Sequence, residues 1–127
     1  MKKRIFLFPL LLLMITILSC KDKTKEQSKL EYSKYISGFT QGMIKSSDPI
    51  YVRLENNVLQ AGDSLPMQIE KLLKISPKAE GTVSLRDGNI IEFTPTKPLK
   101  NGQTYDISLY LDKLGKVPSD LSTFRFS

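Results

Sequence analysis

Few residues in this chain of 127 could carry out chemistry. It has one cysteine, Cys20, and neither histidine nor tryptophan. Without histidine no nucleophile–His pair can form, and zinc sites built from His and Cys are excluded on the same ground. No intrachain disulfide can form because Cys20 has no partner cysteine. The chemistry that remains open is that of a single thiol.

Thirteen carboxylates remain as candidates for acid–base catalysis. In the predicted strands they fall on polar faces, between apolar positions, at Glu55, Glu92, Asp106 and Asp112. Ordinary solvated side chains are the simpler interpretation of that pattern. A Gly-rich phosphate loop is also missing. We therefore expect a non-enzymatic protein with no metal and no cofactor.

The residues before Cys20 have the three parts of a secretory signal. Lys2, Lys3 and Arg4 form a basic start, and an uncharged apolar run follows from Ile5 to Leu18. A helix of these 14 residues would rise about 21 Å, less than the hydrocarbon core of about 30 Å. The run therefore predicts a cleaved signal peptide over residues 1–19. An uncleaved membrane anchor is the alternative.

The end of this segment, Leu18-Ser19-Cys20, resembles the lipobox of bacterial lipoproteins. That resemblance implies cleavage between Ser19 and Cys20, a diacylglycerol on the Cys20 sulfur and a further acyl chain on the freed amine. A lone cysteine is often a buried small hydrophobe, but charged residues follow Cys20 at once. Two or more acyl chains anchor a protein stably, each buried methylene contributing about 0.8 kcal/mol. We expect attachment to a membrane of a Gram-negative cell envelope, most readily the outer membrane. The sequence does not decide between the inner and outer face of that membrane.

The mature chain is only mildly basic. Removing Lys2, Lys3 and Arg4 lowers the basic count from 19 to 16 against 13 acidic residues, a net charge of +3. The lysines are scattered among acids, whereas nucleic-acid binding calls for a clustered basic stripe. Residues 20–34 have too few apolar side chains to offset the entropy of ordering them. They predict a flexible tether that follows the lipidated cysteine.

From residue 35 to residue 127 apolar residues alternate with polar ones in short runs. Runs around Val52, Ile107 and Phe124 predict strands, and the longest alternation extends from Tyr105 to Leu111. Pro66–Ile75 is ambiguous between helix and strand, and we interpret it as a short strand entered from a turn. Asp87-Gly88 between two alternating runs predicts a hairpin with a type I′ turn. Short strands separated by turns indicate one antiparallel, Ig-like β-sandwich of about seven strands, an all-β fold.

Several segments resemble bacterial Ig-like domains. They are Ile75-Ser76-Pro77, Gly81, the run from Ile91 to Pro95 and the run from Leu99 to Tyr105. The span from Tyr35 to Phe126 is more specifically similar to the amino-terminal domain of bacterial alpha-2-macroglobulin-like lipoproteins. Members of that family trap proteases, often through a thioester in a later domain. Since Cys20 is the only cysteine, that thioester is absent here, and the resemblance implies a first domain, a fragment or a stand-alone descendant.

Three residues are candidates for a partner surface. Tyr51 and Tyr110 lie opposite the apolar faces of their predicted strands, although such aromatics often only pair across strands. Ile90 breaks the alternation of its strand, which suggests an edge contact with a following domain. Tyr105 resembles a corner tyrosine whose hydroxyl ties down a turn, a structural role.

Two functions are consistent with these features. The first is a lipid-anchored Ig-like module that forms the start of a macroglobulin-like protease trap, with following domains or proteases as its partners. The second is a stand-alone surface lipoprotein for adhesion or for binding polysaccharide or protein. No nucleic-acid partner is expected in either case.

Overall fold

The computed structural model describes residues 30–59 and 68–127. The signal peptide, Ser19 and Cys20, most of the predicted tether and the first part of the ambiguous Pro66–Ile75 segment lie outside these ranges. Within them the chain forms seven strands: β1 (Ile36–Phe39), β2 (Ile50–Leu54), β3 (Leu73–Ser76), β4 (Gly81–Arg86), β5 (Ile90–Pro95), β6 (Asp106–Tyr110) and β7 (Thr123–Phe126). Single 3₁₀ turns occupy Ile69–Lys71, Leu111–Lys113 and Ser119–Leu121.

The strands form two antiparallel sheets. One has the order β1-β2-β5-β4 and the other the order β3-β6-β7. This is the strand arrangement of an immunoglobulin constant-type sandwich, in which four strands pack against three. The predicted all-β sandwich is therefore confirmed.

The core is built by the alternation that the sequence shows. In β2 the side chains of Ile50, Val52 and Leu54 are buried while Arg53 between them is exposed. Leu109 of β6 and Phe124 of β7 meet them from the other sheet. Completely burying such a side chain contributes about 1.5–3 kcal/mol. No polar or charged residue is buried among the described ranges, so this domain depends on an apolar core.

The predicted hairpin is confirmed over β4 and β5. Asp87 and Gly88 have φ values of 54° and 77°, and the Asn89 N–H donates to the Arg86 carbonyl over 3.3 Å. The ladder opens at Arg86 and Ile90, so Asn89 lies between the strands. In this position Asn89 forms two hydrogen bonds with Leu54, the last residue of β2. Its carbonyl accepts from the Leu54 N–H over 2.8 Å, and its side-chain amide donates to the Leu54 carbonyl over 3.2 Å.

Tyr32, which lies within the predicted tether of residues 20–34, contacts the sandwich. The Tyr32 hydroxyl donates to the Thr123 carbonyl over 2.8 Å, and its ring contacts Phe124 edge-on with 5.1 Å between centroids. The composition of residues 20–34 is polar on average, but this one aromatic side chain finds a place on the three-stranded sheet. The folded domain therefore includes Tyr32.

The ambiguous segment resolves into two elements within its described part. The chain forms the 3₁₀ turn Ile69–Lys71 and then β3, in agreement with the predicted short strand. The alternation from Tyr105 to Leu111 predicts a strand that is longer than the one observed. β6 ends at Tyr110, and the buried Leu111 begins a 3₁₀ turn with its N–H bound to the Ser122 carbonyl over 2.8 Å.

Candidate functional site

The antiparallel order of the strands gives the sandwich two distinct ends. At the N-terminal pole the incoming chain meets the end of β2, where the Glu55 N–H donates to the Tyr35 carbonyl over 2.9 Å. The β4–β5 turn and the start of β7 lie at this pole too, through the contacts of Asn89 and Tyr32. The distal pole carries the β1–β2 loop, the β5–β6 loop and the end of β7.

A groove of about 390 Å³ lies at the distal pole, and we call it the distal groove. The β1–β2 loop supplies one wall and the β5–β6 loop the other. Core residues from both sheets, together with Phe126, reach it from below. Its lining comprises Thr40, Gly42, Met43, Ile44, Lys45, Ser46, Ile50, Leu99, Lys100, Asn101, Gly102, Gln103, Thr104, Tyr105, Ile107 and Phe126.

The β1–β2 wall presents apolar side chains to solvent. Met43 is 103% exposed and Ile44 is 38% exposed, and with Leu30 they are the large exposed hydrophobic residues of the described ranges. Two of those three therefore stand side by side in one loop at one groove. Exposed apolar residues that cluster at a concave site mark interaction surfaces more often than scattered ones do.

Hydrogen bonds donated by backbone N–H groups hold the β1–β2 loop in place. The Thr40 hydroxyl oxygen accepts from the Tyr51 N–H over 2.9 Å, and the Thr40 N–H donates to the Tyr51 carbonyl over 3.0 Å. Lys45 donates its N–H to the Asp48 carboxylate over 3.0 Å. The Leu99 N–H donates to the Ser46 carbonyl over 2.8 Å and so ties the two walls together. The exposed Met43 and Ile44 thus project from a loop that is fixed at both ends.

Tyr105 shapes the second wall, as the sequence predicts. Its hydroxyl oxygen accepts from the Lys100 N–H over 3.1 Å across the β5–β6 turn. Gly102 takes φ 71° within that turn, a conformation that favours glycine. A tyrosine at the start of the sixth strand that bonds to the backbone a few residues upstream is the tyrosine corner of Ig-like sandwiches. The corner prediction is confirmed.

The three candidate partner residues do not come together. Tyr51 lies on the outer face of the four-stranded sheet beside Glu92, whereas Tyr110 belongs to the three-stranded sheet. Ile90 lies in β5, an inner strand of the four-stranded sheet, and is only 4% exposed. Its contact with a following domain stays a prediction. The cross-strand neighbours of Ile90 are Arg53 and Arg86, long side chains whose stems can cover an apolar residue.

The carboxylates predicted to face outward are dispersed. Glu92 binds Arg86 over 2.8 Å on the outer face of the four-stranded sheet, and Asp106 and Asp112 are exposed. In the part of the chain that the structure describes, no three His, Cys, Asp or Glu residues stand close enough to hold a metal ion. No helix there is long and apolar enough to cross a membrane.

Sequence reasoning missed the distal groove. Its one available signal was the pair Met43-Ile44, two apolar residues in a stretch with Gly42 before it and Lys45 after it. Such a pair lies outside any alternating run and cannot join a sheet face. Searches of protein-family models, curated proteins and solved structures found no match to this chain.

Proposed function

We propose that this protein is a non-enzymatic, lipid-anchored module of the cell envelope, held to the membrane through Cys20. The lipobox-like sequence Leu18-Ser19-Cys20 carries the proposal, and the separation of the two poles of the sandwich supports it. Cys20 precedes the N-terminal pole, where Tyr32 and Tyr35 fix the incoming chain to the sandwich. The distal groove lies at the opposite end. Because the tether joins the sandwich at the pole opposite the distal groove, anchoring through Cys20 leaves that groove uncovered.

The occupant that we propose for the distal groove is a second β-sandwich joined after Ser127, as in a macroglobulin-like protein. Phe126 is the last residue of β7 and lines the groove, so a domain continuing from Ser127 would emerge beside it. Such a domain could cover Met43 and Ile44. In this arrangement the present domain spaces and orients a protease trap above the membrane.

The anchor is tested by replacing Cys20 with alanine. The native protein is expected in the membrane fraction even after washing with high salt, since acyl chains and not surface charges hold it. Cys20→Ala is expected to lose that attachment, because alanine offers no sulfur for acylation. Ser33→Ala, an exposed position in the described chain, serves as the control and stays in the membrane fraction. A Cys20→Ala protein that remains membrane-bound after its signal is cleaved contradicts the proposal.

A further inference from the structure

A second groove, the lateral groove, runs along one open side of the sandwich. It lies between β3, an edge strand of the three-stranded sheet, and β4, an edge strand of the four-stranded sheet. Its volume is about 470 Å³. It is separate from the distal groove, and the two share no lining residue.

The rim of the lateral groove is strongly basic. Lys71, Lys74, Lys78 and Lys113 line it, against Glu70 as the one acidic lining residue of the described chain. Within the described residues none of these four lysines forms an ion pair. The Lys113 ammonium is held in place, since it donates to the Lys71 carbonyl over 3.1 Å and lies 4.6 Å from the centre of the Tyr110 ring. The groove therefore favours an anionic ligand.

The free edge of β3 offers backbone hydrogen-bonding groups beside these lysines. The Tyr110 N–H donates to the Leu72 carbonyl over 2.9 Å, and Leu73 is opposite Leu109 in the register. Because hydrogen-bonded and non-hydrogen-bonded pairs alternate in an antiparallel ladder, the N–H and C=O groups of Leu73 and Ile75 point away from β6. An extended chain laid along β3 would meet four backbone groups in register.

The floor of the groove is apolar. Val83 and Phe93 of the four-stranded sheet line it together with Ile75. Gly81 is also part of the lining, and its missing side chain matters because a Cβ there would overlap the Phe93 ring. Side chains that point inward from a chain added beside β3 would therefore meet apolar surface, while those that point outward would lie beside Lys74.

We infer that the lateral groove binds an extended peptide segment in which acidic and apolar residues alternate, added as a strand beside β3. Its acidic side chains pair with the lysines on the outer face, and its apolar side chains cover Val83 and Ile75. Backbone hydrogen bonds supply affinity and the alternation supplies specificity, as in other strand-addition complexes. Tyr110 contributes to a partner surface through this groove. The inference goes beyond the proposed function and does not depend on acylation of Cys20.

Lysines on an edge strand can also prevent that strand from pairing with the sheet edge of another molecule. Under that interpretation the groove takes no strand at all, whatever the charge of the peptide. Binding measurements with defined peptides separate the two interpretations.

The test uses the full chain in detergent and three labelled peptides of seven residues. The first alternates glutamate and valine, the second replaces glutamate by lysine, and the third keeps the glutamates but replaces the valines by proline. Binding is followed by fluorescence anisotropy at low salt, where exposed charges are least screened. Amide hydrogen exchange of Leu73 and Ile75 is measured with and without the first peptide. Circular dichroism checks that every variant is folded.

We expect the glutamate–valine peptide to bind, the lysine peptide not to bind and the proline peptide to bind several-fold more weakly, because proline lacks the N–H that a ladder needs. The double variant Lys74→Glu/Lys78→Glu is expected to weaken binding about tenfold, each exposed pair contributing a few-fold. The control Lys34→Glu/Lys116→Glu changes the net charge equally outside the groove and is expected to leave binding within about twofold.

Slower exchange of the Leu73 and Ile75 amides on peptide binding supports strand addition. Absence of binding by the glutamate–valine peptide overturns the inference in favour of an edge that only repels. Equal binding of the proline peptide, or an equal loss in the control variant, overturns it too, because attraction by net charge alone would then explain the result.

Discussion

Tyr105 shows at the scale of one residue how a hydroxyl group can fix a loop. Its ring is half-buried beside the distal groove, and its oxygen accepts the Lys100 N–H. We expect Tyr105→Phe to lower the free energy of unfolding by about 1 kcal/mol, the usual net contribution of one hydrogen bond. Urea unfolding measures the change. Tyr51→Phe is the matched control, since no hydrogen bond of its hydroxyl is found among the described residues, and we expect a change below about 0.5 kcal/mol.

Tyr32 adds a pH dependence to the domain. Burial raises the pKa of its hydroxyl, the Arg125 cation opposes that shift, and the Asp120 and Glu31 anions add to it. Because the folded pKa is raised, the contribution of Tyr32 is complete below the unfolded tyrosine pKa of about 10 and is lost as pH rises through the folded pKa. The difference in unfolding free energy between the native chain and Tyr32→Phe should therefore shrink between pH 8 and pH 11. A constant difference across that range would contradict the docked hydroxyl.

Gly81 tests the packing of an element, the start of β4. An added Cβ would overlap the Phe93 ring and the Thr94 carbonyl oxygen, so the strand or the ring must shift. We expect Gly81→Ala to destabilise the domain by about 1–3 kcal/mol, the usual cost of overpacking. Gly38→Ala in β1 is the control, because nothing lies within 4 Å of its added Cβ. There alanine is expected to be neutral or to stabilise by up to about 1 kcal/mol. Equal effects at the two sites would disprove the close contact at Phe93.

The strands and turns were largely predictable because their signals are local. Alternation identified the buried face of β2, and Asp87-Gly88 identified the hairpin, since positive φ at both positions restricts the residues that can serve. Tyr105 was recognisable from its spacing to Leu99 and Gly102. Elements that depend on tertiary contacts were not predictable. The docking of Tyr32 on Phe124 and the pairing of Ile90 with Arg53 bring together residues far apart in the sequence.

The candidate site was less predictable than the fold. The distal groove forms where the β1–β2 loop and the β5–β6 loop face each other. Nothing in the sequence of either loop indicates that the other lies beside it. Met43 and Ile44 break the local polarity, but only the folded chain shows that they line the same groove as Phe126. Three of the four lysines of the lateral groove lie within residues 71–78, but only the folded chain brings Lys113 beside them.

At the scale of the whole molecule, the distal groove makes a prediction about Met43. In the described domain this side chain is completely exposed, so peroxide should oxidise it as fast as a methionine in an unfolded chain. If a following domain covers the groove, as proposed, oxidation of Met43 in the native envelope protein should be markedly slower than in the same protein in denaturant. Mass spectrometry of the peptide that contains Met43 measures both rates. Equal rates would exclude an occupied groove.

The proposal that the chain is a lipid-anchored envelope module depends most directly on what happens at Cys20. The deciding measurement is the intact mass of the protein recovered from envelope membranes in detergent. The account predicts a species that begins at Cys20 and is heavier by a diacylglycerol and a further acyl chain, and a mass beyond the encoded remainder would add support for following domains. An unmodified species that retains Met1 would contradict the lipid anchor. The β-sandwich fold would be unaffected by that result.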